Sequence, residues 1–323
     1  MQRLNQKKNM NASQIINKLG LLLVLFIFVI IMMILSPSFL TWANLRNLLI
    51  QSTILATLSL GVTFVIITGG IDISVGSIEA LAAAVGLDLI VNHNVPVIGG
   101  ILIMLAIGIL IGLINGVAVA NFGIPAMIAT LATQSIARGA VLVYTNSANV
   151  YAPPSFSLLT TRYFLGLPYI VWVVVVLAVI AWLILSKTVL GRSVYAVGGS
   201  ELAAKLAGIR TKRVIAATYM ISGFTAAIAG LLLTIRLESA GPSAGDGTEM
   251  NVIAAVVIGG TSLFGGKGTI PGTILGVILI SLVSNAVNLL GVPPAWDKIV
   301  KGVVIVIAAL LDANRNKIGK SLK

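Results

Sequence analysis

Cysteine is absent from the 323 residues, so no disulfide, thiolate metal site or cysteine nucleophile is available. His93 is the only histidine, which excludes a histidine-based metal centre, and no metal is expected. Charge is scarce as well: Asp, Glu, Lys and Arg make up 9% of the chain, against roughly 25% in ordinary soluble domains. Acids are the scarcer half, nine against twenty-one bases, for a net charge of +12. A nucleic-acid surface would gather such bases on one folded polar face, interleaved with aromatics. Here they lie between apolar runs, so nucleic acid is not the partner. What the chain has in plenty is apolar surface: 58% hydrophobic residues and a mean hydropathy of +1.08. The fold class expected is therefore all-α, a polytopic membrane helical bundle.

The first eighteen residues are polar, carry Arg3, Lys7, Lys8 and Lys18 without an acid, and precede the apolar run Leu19 to Leu35. Ser36-Pro37-Ser38 is a poor cleavage site, and the run is long enough to read as an uncleaved first span. Further spans are expected at about 48–68, 75–92, 96–120, 124–145, 167–185, 213–237, 250–260, 272–290 and 296–311. That makes about ten, although 250–260 is too short to cross alone. The organisation expected is an amino tail 1–18, a membrane domain 19–311 and a carboxyl tail 312–323. Lys and Arg concentrate in the amino tail, the carboxyl tail and the loop 187–213, which together hold fourteen of the twenty-one. Basic segments are retained in the cytoplasm, so both termini and that loop are expected there. The linker 238–249, with Glu238, Asp246 and Glu249 and no base, is expected outside.

Two Gly-rich stretches interrupt the apolar pattern, Gly69-Gly70-Ile71-Asp72-Ile73-Ser74-Val75-Gly76 and Gly259 to Thr269. Each follows a β-branched run and introduces another span, and the two are expected to be corresponding breaks of an internal inverted repeat. Irregular backbone at membrane depth is tolerated where it lines a cavity, so the breaks either mark a translocation path or are tight interhelical turns. Asp72, at the first break, either meets solute hydroxyls or caps the next helix. Ser74, Asn115, Thr130, Thr133, Gln134, Asn285 and Asn288 supply neutral polar groups along the apolar spans, suited to hydroxyl-rich solutes or to bonds between helices. The candidate path is Asp72, Ser74, Asn115, Thr133, Gln134, Asn285 and Asn288. Glu79, Asp88 and Arg138 are expected to pair inside the bundle. Gly108, Gly112 and Gly116, and Ser222, Ala226 and Gly230, repeat every four residues and mark close helix packing.

Gly260 to Gly268 imitates a phosphate loop, but an extra glycine displaces Lys267, and Gly268 stands where the metal-binding hydroxyl belongs. The chain thus carries no nucleotide-binding motif, no cofactor is expected, and it is not expected to be an enzyme.

The loop 187–213 holds a short punctuated helix. Ser200 is a good N-cap, Gly208 a good C-terminal stop, Glu201 and Lys205 are spaced to pair, and Leu202 and Leu206 share a face. A capped helix with an apolar stripe in a basic loop reads as a docking peg or as a plain interhelical turn.

Taken together, LSPSF (35–39), TGGIDISVGS (68–77), MIATLATQSIARG (127–139), VYTN (143–146), GRSVYAVGGSELAAKLAGI (191–209), AAVVIGGTSLFGGKGTIPGT (254–273) and NLLGV (288–292) resemble the permeases of bacterial ABC-type monosaccharide importers, most closely the ribose permeases. The resemblance runs from about Leu35 to Asp312. It implies a multi-pass permease in the bacterial inner (plasma) membrane, paired with a second copy of itself as a homodimer. Its implied partners are a cytosolic ABC ATPase subunit, a periplasmic or lipid-anchored sugar-binding protein and membrane lipid. It also implies that Gly199, Ser200, Glu201, Leu202, Ala203, Ala204, Lys205, Leu206, Ala207 and Gly208 form the coupling helix seated on the ATPase, and that a monosaccharide, ribose first, moves inward by alternating access. The competing class is an ion-coupled secondary sugar transporter, which would work without a partner; against its proton-driven form, no line of carboxylates resembling a proton relay accompanies the neutral polar residues of the spans.

Overall fold

The computed structural model describes residues 12–153, 156, 161–293, 295, 296, 299, 302, 303 and 306. The first eleven residues, the carboxyl tail 312–323 and most of the span expected at 296–311 lie outside them. Helices α1 (Ala12–Leu35), α2 (Trp42–Ile67), α3 (Val75–Val91), α4 (Val97–Ala120) and α5 (Ala126–Tyr144) come first. Next are strands β1 (Val150–Tyr151), β2 (Tyr163–Phe164) and β3 (Leu167–Pro168), then α6 (Tyr169–Lys187), α7 (Val189–Gly199), α8 (Glu201–Leu206) and α9 (Thr211–Leu237). The series ends with β4 (Ser239–Ala240), α10 (Thr248–Ile258) and α11 (Ile270–Leu289). Among the described residues six helices, α2, α4, α5, α6, α9 and α11, are long and apolar enough to cross a membrane. The all-α polytopic bundle is as expected, with two small antiparallel pairs, β1–β4 and β2–β3, added in the connections.

Helix α2 is the axial post, buried almost continuously from Thr53 to Ile67. Because α2 is apolar on every side, it is wrapped rather than laid on a surface: Ile54, Leu58, Val62 and Ile66 meet α3, α6, α9, α10 and α11 in one core. Along the α4–α9 seam, Gly108 abuts Gly223, Gly112 abuts Tyr219 and Met220, and Gly116 abuts Ala216, backbone to backbone. The fourfold spacing works here as a close-packing stripe, since a Cβ at any of the three would strike a main-chain atom. Helix α1 leans on α11 through Leu25, Met32, Leu279, Leu282 and Ala286.

Two departures from expectation position the site. The segment 187–213 is mostly helical: Thr188 caps α7 by accepting from Gly191 N at 3.2 Å, a helix hidden in the sequence by Gly191, Gly198 and Gly199. The linker 238–249 does not simply loop through solvent. Its Gly245 packs on Gly76 and Glu79 of α3, and Glu249 is buried, so the short α10 starts inside the bundle.

Candidate functional site

The peg is α8. Ser200, in extended backbone (φ −166, ψ 110), accepts from Ala203 N at 3.2 Å through its hydroxyl, meeting one of the free N–H groups of the first turn. At the other end Gly208 N donates to Lys205 O and Ile209 N to Ala204 O, both at 3.0 Å. Gly208 sits at φ +84, a left-handed stop that favours glycine. Ala204 faces inward and joins a core with Val197, Val214 and Ile215. Leu202 and Leu206 point the other way, 70% and 81% exposed. Glu201, Ala203, Lys205 and Ala207 are also exposed, as are Arg192, Arg210, Lys212 and Arg213 around the peg. The Glu201–Lys205 pair expected from spacing is not closed, in contrast to His93 and Asp88, which approach to 3.4 Å. Glu201 and Lys205 are both solvated, and such a pair is worth too little to hold them together.

At the root of the peg, both Gly-rich breaks meet. Gly266 N donates to Ile67 O at 2.8 Å, bonding the second break to the end of α2. Gly198 fills the remaining space: a Cβ there would strike Ile67 O and Gly266 N. Gly265 lies against Gly198 and Gly69, and Tyr195 of α7 donates to Gly268 O at 2.8 Å. The two breaks and the peg therefore form one joint. The phosphate-loop lookalike uses its N–H groups internally, Gly266 on Ile67, Ser262 on Lys267 and Gly265 on Ser262, leaving those three unavailable to a phosphate.

Beyond Gly69 and Gly70 the chain re-enters the bundle to Asp72, and four of the seven candidate path residues gather there in one network, with a fifth, Gln134, in a separate group beside it. Asp72 Oδ1 accepts from Ser74 N (3.0 Å) and Ser74 Oγ (2.5 Å), and Oδ2 from Ser222 Oγ (2.7 Å). Asn115 Nδ2 donates to Ser74 Oγ at 2.9 Å, and Thr133 Oγ1 to Asn115 Oδ1 at 2.6 Å. Asp72, Ser74 and Asn115 are fully buried, and each lone pair used here ties α3, α4, α5 and α9 together. Thr130 donates to Ile71 O at 3.3 Å, at the rim of this network. Gln134 Nε2 donates to Glu249 Oε1 at 3.1 Å, in the neighbouring group. Asn285 and Asn288 lie elsewhere: Asn285 exchanges hydrogen bonds with Asn44 at 3.0 and 2.7 Å, near the end of α11, where Asn288 is exposed.

Within the expected grouping of Glu79, Asp88 and Arg138 no closed ion pair forms, although the Arg138 charge lies near enough to act on Glu79. Asp88 accepts from Asn92 (2.7 Å) and Tyr144 (2.7 Å). Arg138 Nη1 donates to the carbonyls of Pro242 and Ala244, clamping the linker, while its Nη2 has no partner. Glu79 is completely buried with both carboxyl oxygens unpartnered, and Glu249 Oε2 is unpartnered too. Glu249 was legible only as part of an acidic linker. Its burial follows from the linker's inward course, which needs Gly245 (φ +65) against Gly76.

Residues 44–309 match the family described as the branched-chain amino acid transport system permease component. The chain is 44% identical over 314 residues to the ribose import permease protein of Bacillus subtilis, covering 96% of this chain and 97% of that one. It is 42% identical to the ribose import permease protein of Escherichia coli K12 (90% and 92% covered) and 34% identical to the L-arabinose ABC transporter permease protein of Azospirillum brasilense (96% and 91%). No solved structure matches the chain. With a membrane-length bundle, a joint binding two chain breaks to an exposed helix, and relatives of this closeness across nearly its whole length, the chain belongs to the permease family of ABC transport systems.

Proposed function

We propose that the chain is the permease subunit of an ABC importer that takes a monosaccharide, ribose first, into the cytoplasm. The observation that carries the mechanism is the joint at Gly198. The exposed Leu202–Leu206 stripe is the seat for a cytosolic ATPase, and the ten residues Gly199 to Gly208 form the coupling helix. A push on α8 passes through Gly198 and Tyr195 to the ends of α2 and the second break, and so to the segments leading to Asp72 and to α11. Packed backbone transmits such a displacement with little loss. A second copy of the chain completes the pathway, and a periplasmic or lipid-anchored binding protein delivers the sugar at the opposite end.

In this reading the bundle has about ten crossings, the two breaks belong to an inverted repeat, and both termini and the peg are cytoplasmic, in an inner membrane. The basic rim around the peg supports that side. Asp72, Ser74, Asn115, Thr133 and Gln134 hold the helices that move, and Asn285 and Asn288 lie toward the outer mouth. The ion-coupled alternative is disfavoured by the peg, an apolar stripe that a self-sufficient carrier has no use for.

Reconstitution with candidate ATPase and binding proteins, and uptake of labelled ribose, arabinose and allose with and without ATP, tests the reading. ATP-dependent ribose uptake is expected. Gradient-driven uptake by the chain alone would overturn it.

A further inference from the structure

At the end of the bundle away from the peg, a cavity of about 330 Å³ opens between the start of α2 and the ends of α9 and α11. Its polar wall is Asn44, Asn47, Gln51, Arg236, Asn285 and Asn288. Asn44 and Asn285 bond to each other. The side chains of Asn47, Gln51, Asn288 and Arg236 have no hydrogen-bond or ion partner among the described residues. Arg236 is half-buried, and no Asp or Glu is among the described residues that line the cavity. Glu238, two residues on, leaves the helix in a left-handed turn (φ +50) and does not pair with it.

A guanidinium withdrawn from water without a carboxylate calls for another anion. We infer that this cavity is a binding site for a phosphate group, held by Arg236 and the amide donors of Asn47, Gln51 and Asn288. The guanidinium fork matches phosphate oxygens two at a time, and amides supply further donors. The described lining residues bring one cation and several amide donors with no carboxylate, a positive charge that an anion answers and that a neutral sugar does not require. Two sources share the chemistry: a phospholipid headgroup and free inorganic phosphate. The position favours the lipid. Arg236 lies one residue from the end of a 27-residue membrane-length helix, at headgroup level, with Ile50 and Leu289 as an apolar floor. The inference does not depend on which sugar the chain carries, or on ATP.

The test uses the purified full chain in a non-ionic detergent micelle, titrated with dihexanoyl phosphatidylglycerol, inorganic phosphate or ribose, and read by thermal shift. Short-chain phosphatidylglycerol should raise the melting temperature saturably, and Arg236→Gln should weaken its binding about tenfold or more. Asn47→Asp, at an exposed position and so harmless to folding, should do the same by repulsion, whereas Arg236→Lys should retain part of the affinity. Saturation by inorganic phosphate with the same dependence on Arg236 also supports the site and assigns it to the free ion. Binding that is indifferent to Arg236→Gln and Asn47→Asp, or a cavity that answers to ribose and to neither phosphate, overturns the inference.

Discussion

Truncating Leu206 to alanine tests the peg most directly. Leu206 is 81% exposed and Leu202 70%, so neither contributes much to the chain's own packing. Their value would appear only when a partner covers them. Leu→Ala removes three carbon groups, worth about 0.8 kcal/mol each when buried. Scaled by the exposed fraction of 81%, Leu206→Ala should cost about 2 kcal/mol of ATPase binding, or about thirtyfold in Kd. Leu202→Ala, scaled by 70%, should cost about fifteen- to twentyfold. The two would share one groove, so the double variant should depart from additivity. The assay is titration of nanodisc-embedded permease with fluorescent ATPase, alongside thermal unfolding of the permease alone. The unfolding temperature should not move. Ala204→Leu is the contrast: Ala204 is buried, so overpacking should lower the permease's own stability by about 1–3 kcal/mol. Wild-type ATPase affinity in both leucine variants would refute the docking stripe.

Gly198→Val should leave ATPase binding intact, because the peg's outer face is unchanged, yet reduce sugar uptake at least tenfold by wedging apart Ile67 and Gly266; uptake per ATP hydrolysed is the readout. Asp72→Ala strands the Ser74 N–H and the Ser74 and Ser222 hydroxyls in a buried site and should cost about 3 kcal/mol or more, with Asp72→Asn milder, both measured by thermal unfolding. Glu79→Gln should not lower the unfolding temperature, since no hydrogen bond to its carboxylate is lost. Arg138→Gln should lower it by releasing the Pro242 and Ala244 carbonyls.

Most of the bundle was legible because a span announces itself by length and by unbroken apolar character. Expected and observed boundaries of α3, α4 and α5 agree to within two residues for that reason. The peg was legible because Ser200 and Gly208 act locally, through bonds reaching three to five residues. What the sequence concealed depends on approach between distant segments. Gly198 drew no separate notice in the sequence, whereas it is a helical residue at which Ile67 and Gly266 leave no room for a Cβ. Glu249 read only as one acid of a linker expected outside, because nothing nearby reports that the linker turns inward. Asp72 and Ser222, 150 residues apart, could not be matched by pattern.

The bond from Gly266 to Ile67 also orders the protein's birth. It spans about two hundred residues of chain, so α2 must enter the membrane long before its partner is made, and its terminal carbonyl waits through the synthesis of α3 to α10. Domains mature from the amino end as the chain emerges, and here the peg is complete while the loop that braces it is still unmade. A nascent permease therefore cannot present a braced peg until the second break has been delivered. If α8 is the ATPase seat proposed above, premature capture would meet a loose end, and only a chain that has made the second break offers something to push.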